Sequence, residues 1–123
     1  PNAARLSHTN VFYGLDPGRG FADRLAGLYP QFCDRDRRAV ELIENGPLGV
    51  AELQQMLRDH ANRPESVCRH AEDQKLEKPT DIPLETIASV VMDLDDGRMF
   101  LAEGPPCCNE YHEHVLGENG ALS

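Results

Sequence analysis

The sequence predicts an α+β fold in which helices come first and a β-hairpin follows. Two observations support this class. Apolar residues recur at helical spacing as far as about residue 57, and beyond that point the pattern changes to short runs rich in β-branched residues. A chain of 123 residues is long enough for one domain with one core. We therefore expect residues 1–123 to form a single partial domain, with a tail over residues 106–123 that is irregular or holds one short strand.

Three helices are predicted in the first half of the chain. The first is expected within residues 21–30, where apolar residues lie one helical turn apart and a proline ends the run. The second is expected over residues 34–46, with Asp34 as N-cap and Asn45-Gly46 as a C-terminal stop. The third is expected within residues 49–62. Its apolar stripe, which should face the core, consists of Val50, Leu53, Met56 and Leu57.

Extended structure is predicted mainly in the second half. Residues 5–10 and 65–70 are short candidate strands, and the charged, proline-containing residues 71–84 are expected to form a loop. The strongest strand signal is ETIASVVMDL at residues 85–94, which a tight DDG turn joins to a returning strand at residues 98–104. The first of these strands is apolar on both faces. It therefore predicts a larger sheet, supplied elsewhere, to cover it.

The charge balance argues against two classes of partner. The net charge is −9, with 21 acidic and 12 basic residues, whereas nucleic acids and anionic membrane surfaces attract basic faces. No apolar run approaches the roughly 18 residues of a membrane span, and no signal-peptide pattern opens the chain. We expect a soluble, cytoplasmic protein that binds neither nucleic acid nor membrane.

The cysteine pattern predicts reduced thiols. The four cysteines are Cys33, Cys68, Cys107 and Cys108. The last two are adjacent and cannot pair with each other without strain, and the CxxC spacing of many zinc sites is missing. We therefore expect no metal site. The alternative is a site in the polar tail formed by Cys107, Cys108, His112 and His114.

The stretch PESVCRH, residues 64–70, places a thiol, a cation and an imidazole side by side. Alternate residues of a strand share a face, so Cys68 and His70 should point one way and Arg69 the other. One interpretation is a thiol hydrolase with Cys68 as the nucleophile. The interpretation we prefer makes Cys68 a packing residue and Arg69 the functional one.

Several segments together resemble one enzyme family. They are HTN at residues 8–10, LQQMLRDHANRPESVCRH at residues 53–70, and TIASVVMDLDDGRMFLAEGPPC at residues 86–107, which NEY follows one residue later. This combination resembles the C-terminal portion of the C45 family, the autoproteolytic N-terminal-nucleophile acyltransferases and hydrolases related to acyl-coenzyme A:6-aminopenicillanic acid acyltransferase. The resemblance implies an αββα sandwich, which would supply the missing sheet.

The resemblance also implies roles for residues of this chain. Asn10 matches an asparagine that donates to the oxyanion, and Arg69 matches an active-site arginine whose rigid fork positions substrate or nucleophile. His8 and Thr9 are the corresponding substrate-binding candidates. The nucleophile of such an enzyme is an N-terminal cysteine freed by self-cleavage, acting on an amide or acyl thioester. Acyl-coenzyme A is a candidate substrate, and no cofactor is implied.

This chain departs from the family in two ways. Pro1 is not a cysteine, so the chain alone is expected to be inactive and to need a missing N-terminal part that carries the nucleophile. Val11 stands where the family often has histidine. Other interpretations stay open: Asn10 as a turn cap, Arg69 as an ion-paired strand residue, and the whole chain as a small non-catalytic interaction module. If the preferred interpretation holds, Asn10 and Arg69 approach the same space.

Overall fold

The computed structural model describes residues 5–9 and 32–117. The chain divides into two compact units, Pro1–Gly46 and Pro47–Ser123, which we call the N-terminal and C-terminal units. The described elements comprise two α-helices, a single 3-10 turn and a three-stranded antiparallel sheet. The predicted α+β class, with helices before the hairpin, is confirmed for this part of the chain.

The N-terminal unit contains helix α1, Phe32–Glu44. The helix begins two residues earlier than predicted, so Asp34 lies in its first turn instead of capping it. Its predicted end is confirmed, because Gly46 has a φ of +76°, the left-handed conformation that favours glycine after a helix. The Arg5 Nη1 atom donates to the carbonyls of Ile43 and Gly46, both at 2.9 Å, and so satisfies acceptors at the helix end.

The segment before α1 differs from the prediction. Residues 5–9 form no strand. The Thr9 hydroxyl instead donates to the Asp36 carboxylate at 2.9 Å, which ties the segment to the first turns of α1. The helix predicted within residues 21–30 lies outside the described residues.

The C-terminal unit begins with helix α2, Val50–Leu57. The helix is confirmed but is shorter than predicted, since the backbone N–H groups of Arg58 and Asp59 close its last turn onto the carbonyls of Gln55 and Met56. It packs against the first strand of the sheet. Its apolar stripe is only partly covered, because no residue of α2 is fully buried.

The sheet has the strand order β1-β2-β3, with β1 at Ala88–Asp93, β2 at Arg98–Glu103 and β3 at His112–Val115. The β1–β2 hairpin is confirmed, and Gly97 in its turn has a φ of +64°. The short strand that the tail was expected to hold at most is β3, which pairs antiparallel with β2. A run of polar residues becomes a strand here because β2 offers a free edge of backbone donors and acceptors.

The two faces of β1 differ in burial. Ser89 and Val91 are buried, and Ala102, which lies opposite Ser89 on β2, has no exposed surface. On the other face Val90 and Met92 are 39% and 61% exposed. The strand is therefore half-buried among the described residues, and its second apolar face is partly exposed.

The prediction of a strand at residues 65–70 is wrong, since the segment pairs with no strand of the sheet. Its backbone bonds instead to Thr86: the Arg69 N–H donates to the Thr86 hydroxyl at 2.9 Å, and the Thr86 N–H donates to the Arg69 carbonyl at 3.1 Å. A second tie lies further out, where the Gln74 side chain bonds both backbone groups of Leu84. The loop predicted at residues 71–84 is confirmed, apart from one 3-10 turn at Ala71–Asp73.

Candidate functional site

Two thiols and two imidazoles of the C-terminal unit converge on one point. Their potential ligand atoms all lie within 4.8 Å of one another, and the residues are His60, Cys68, His70 and Cys107. We call this set the thiol–imidazole cluster. Its members come from three separate stretches of chain: the exit of α2, the segment before the 3-10 turn, and the turn that follows β2.

The backbone holds the first three members in place. The Cys68 N–H donates to the Asp59 carbonyl at 3.0 Å, which fixes the segment of Cys68 against the exit of α2, beside His60. The His70 carbonyl accepts the N–H of Asp73 at 3.2 Å, so the 3-10 turn begins directly after the ring. The bond between Cys68 and Asp59 therefore brings His60 and His70 close together.

The fourth member is presented by a compact turn. Gly104 has a φ of +74°, and its N–H donates to the Ile87 carbonyl at 2.8 Å, so β2 ends in a sharp change of direction. The Pro105 carbonyl then accepts both the Cys108 N–H at 3.3 Å and the Asn109 side-chain amide at 2.9 Å. These bonds hold the intervening Cys107 with its sulfur toward His70.

Arg58 links this turn to the exit of α2. Its Nε donates to the carbonyl of the fully buried Pro106 at 2.9 Å, and its guanidinium lies over the Tyr111 ring, 5.1 Å from the centroid. The Tyr111 hydroxyl in turn lies 2.5 Å from the Ser89 hydroxyl on the buried face of the sheet. Arg58 therefore couples the stretches that carry His60 and Cys107.

Three neighbours approach a single nitrogen of His70. Its Nε2 lies 3.1 Å from His60 Nε2, 3.7 Å from Cys68 Sγ and 3.2 Å from Cys107 Sγ. A ring nitrogen carries either one proton or one lone pair in the ring plane. It can therefore satisfy one neighbour well, but not all three at once.

Burial shifts the pKa of two members of the cluster, His60 and Cys107. Cys68 has no exposed surface and His70 is 7% exposed. Burial, together with the nearby Arg63 cation, lowers the pKa of His60 below its ordinary value, so this imidazole is neutral at pH 7. Cys107 is exposed as a residue, but its sulfur faces the cluster. Desolvation is the larger cause that raises the pKa of this thiol, and the contact with the Cys68 thiol is the next. Two imidazoles and two thiol sulfurs are a set of metal ligands.

The prediction that Cys68 and His70 share one side of the segment is confirmed, although no strand forms there. Cys68 and His70 face each other at 3.7 Å, while the Arg69 guanidinium forms an ion pair with Glu65. Both side chains of that pair are largely buried, with 10% and 19% of their surface exposed. Arg69 is thus a fixed cation, and the structure places it in the ion-paired arrangement that we considered as its alternative.

The other predicted site residues lie in the N-terminal unit. His8 is exposed, and Thr9 bonds to Asp36. Asn10 lies outside the described residues, as does its expected approach to Arg69.

Sequence reasoning missed His60 and Cys107 as partners of Cys68 and His70. It expected no metal site, and the alternative set that it considered shares only Cys107 with the cluster. His112 and His114 belong to β3, and the exposed Cys108 sulfur bonds to the Pro105 carbonyl at 3.5 Å. The sequence signal for this site is the Cys-x-His spacing at residues 68–70, which places a thiol and an imidazole, two potential metal ligands, on one side of an extended segment.

Comparison of the chain with protein-family models, with curated protein sequences and with solved structures gave no match. Within residues 5–9 and 32–117, none of the helices combines the length and the apolar character needed to cross a bilayer.

Proposed function

We propose that this chain is the C-terminal portion of a cysteine N-terminal-nucleophile acyltransferase or amidohydrolase of the αββα class, acting on amide or acyl-thioester bonds. One observation carries the proposal: two of the segments behind the sequence resemblance, residues 53–70 and 86–107, contact each other within the C-terminal unit. The backbone N–H and carbonyl of Arg69 both bond to Thr86, and His70 contacts Cys107 at the end of the later segment. Segments that resemble one family in combination are expected to pack against each other.

The chemistry of such an enzyme assigns a separate role to the preceding part of the protein and to residues of this chain. A preceding part of the same protein supplies the N-terminal cysteine, whose own α-amino group acts as the base. Asn10 supplies a neutral donor to the oxyanion, with His8 and Thr9 beside it along the substrate. Arg69 supplies a guanidinium whose direction Glu65 fixes, which suits the positioning of a carboxylate or carbonyl group. No cofactor takes part, and acyl-coenzyme A is one candidate acyl donor.

The uncovered face of β1 supports the same proposal. Val90 and Met92 are exposed on it, and in a layered sandwich such a face is covered by a second layer. The preceding part of the protein would supply that layer together with the nucleophile.

The test uses the complete reading frame that contains this chain. We expect self-cleavage to expose an N-terminal cysteine, followed by hydrolysis or transfer of a simple acyl thioester or amide. Arg69→Lys should lose most of this activity, because a point charge does not replace a forked donor. The matched control is Arg63→Lys, since Arg63 is half-exposed and pairs with Asp73 at 3.1 Å on the surface. Absence of self-cleavage, or equal activity of the two variants, contradicts the proposal.

A second candidate function is a non-catalytic interaction module. The exposed apolar face of β1 favours it, as does Ile87, which is 84% exposed just before the strand. A reading frame with no cysteine-bearing segment before this chain would support the module and eliminate the acyltransferase. The thiol-hydrolase alternative is disfavoured, because Cys68 has no exposed surface for a substrate to reach.

A further inference from the structure

The contacts of His70 need an explanation that hydrogen bonding does not give. Two sulfurs and one nitrogen lie between 3.1 and 3.7 Å from its Nε2 atom. Only one of them can form a hydrogen bond with that nitrogen. The other two would then be close contacts between polar atoms that no hydrogen bond stabilises. A cation at the centre of the four atoms removes the conflict, because every donor then directs its lone pair at the same point.

Three of the six distances among these atoms are close to those of a tetrahedral zinc site. With Zn–N bonds of about 2.05 Å and Zn–S bonds of about 2.3 Å, a tetrahedron separates two nitrogens by about 3.3 Å, a nitrogen and a sulfur by about 3.6 Å, and two sulfurs by about 3.8 Å. The observed nitrogen–nitrogen distance is 3.1 Å, and the nitrogen–sulfur distances are 3.2 and 3.7 Å. All four atoms lie within 4.8 Å of one another.

We propose that His60, Cys68, His70 and Cys107 bind one Zn²⁺ ion in a closed, structural site. Two thiolates and two imidazoles are the Cys₂His₂ set of structural zinc, whereas magnesium and calcium take oxygen ligands. The charges also balance. Binding displaces one proton from each thiol to solvent, and the two thiolate charges then cancel the charge of the ion. The complex is therefore electrically neutral, which suits a site whose central residues are buried.

The surroundings suit a structural role. The other ring nitrogen of His70, Nδ1, faces the Glu72 carboxylate at 3.5 Å, the arrangement in which a carboxylate orients a zinc-bound histidine. Four protein ligands leave no open coordination position for substrate. Cys68 and His70 are also among the few buried residues of the described chain, and the buried hydrophobic residues beside Cys68 are Val91 and Ala102. A unit with so small an apolar core gains much of its stability from the ion.

The experiment measures metal binding by the whole chain under reducing conditions. Purified chain should contain one zinc per molecule by elemental analysis. After removal of zinc, titration with Co²⁺ should give the visible bands of a tetrahedral ion together with thiolate-to-cobalt charge transfer, and Zn²⁺ should abolish both. Failure of the wild-type chain to bind either ion stoichiometrically would overturn the proposal.

Adjacent cysteines provide the matched control. Cys107→Ser should weaken zinc affinity by at least about 100-fold, because loss of even an outer partner of a zinc ligand costs about 10- to 100-fold. Cys108→Ser should leave the affinity unchanged. Equal losses in the two variants would refute the assignment.

X-ray absorption on the zinc-loaded wild-type chain needs no variant, so it decides the matter even where Cys107→Ser does not fold. Two sulfur and two nitrogen neighbours are expected, and any other ligand set refutes the site. None of these measurements depends on acyl transfer. Failure of the zinc proposal therefore leaves the proposed enzyme function untouched, and failure of the enzyme function leaves the zinc proposal untouched.

Discussion

Replacing Arg58 with methionine is expected to destabilise the C-terminal unit markedly. The substitution keeps most of the apolar stem but removes the Nε donor, which lies 2.9 Å from the carbonyl of the buried Pro106. A hydrogen bond from a charged group contributes about 1.5–3 kcal/mol. The guanidinium also lies 5.1 Å from the centroid of the Tyr111 ring, a contact that contributes about 0.5–1 kcal/mol at a partly exposed position. The expected loss in the free energy of unfolding is therefore about 2–4 kcal/mol.

The assay is urea-induced unfolding of the zinc-saturated chain, followed by circular dichroism, with hydrogen exchange at residues 98–115 to localise the effect. Arg63→Met is the control, because its ion pair with Asp73 involves a half-exposed arginine and such surface pairs contribute about 0–1 kcal/mol. The two variants also differ in location: loss of Arg58 should speed exchange in the turn that carries Cys107. If Arg58→Met is no more destabilising than Arg63→Met, the role assigned to Arg58 in joining the two stretches is refuted.

Further predictions concern single side chains of the C-terminal unit. Val91→Ala should cost about 1.5–3 kcal/mol in urea unfolding because Val91 is buried, and Val90→Ala on the exposed face should cost well under half of that; equal losses would contradict the assigned faces. Thr86→Val should cost about 1 kcal/mol because it removes the acceptor of the Arg69 N–H, whereas Thr86→Ser should retain stability. The exposed apolar face of β1 predicts that the isolated chain self-associates, and that Met92→Glu reduces this association in sedimentation velocity; a wild-type chain that stays monomeric would contradict this prediction.

Local signals were sufficient for much of the fold. Glycine at residue 46 marks the end of α1 and glycine at residue 97 marks the hairpin turn, since both adopt positive φ. The β-branched run at β1 has a strong preference for extended structure regardless of its partner. Elements of this kind are predictable because the residues that specify them are neighbours in sequence.

Elements that depend on distant partners were not predictable in the same way. The strand β3 consists of HEHV, which has little apolar character, and it exists because Met99 and its neighbours on β2 pair with it. Conversely, residues 65–70 have the composition of a strand, but their backbone groups bond to Asp59 and Thr86 instead of to a ladder. Composition alone does not distinguish these two outcomes.

The candidate site shows the same limit. The Cys-x-His spacing of residues 68–70 predicted that both side chains share one side, and the contact of Cys68 with His70 confirms it. The spacing does not predict that His60, at the exit of α2, and Cys107, in the turn after β2, lie beside these two residues. Their positions depend on bonds between residues distant in sequence, such as the hydrogen bond from Arg58 to the Pro106 carbonyl.

The loop at residues 71–85 has a consequence for how this protein could change in evolution. Its base is closed by the reciprocal bonds of Arg69 with Thr86, and a second closure follows at Gln74 and Leu84. Since residues 75–85 are all exposed, added chain would enter solvent directly. Lengthening a loop whose ends are already joined costs only about 0.6 kcal/mol for each doubling. This loop is therefore a position where an additional domain could be inserted while the sheet and the thiol–imidazole cluster keep their geometry.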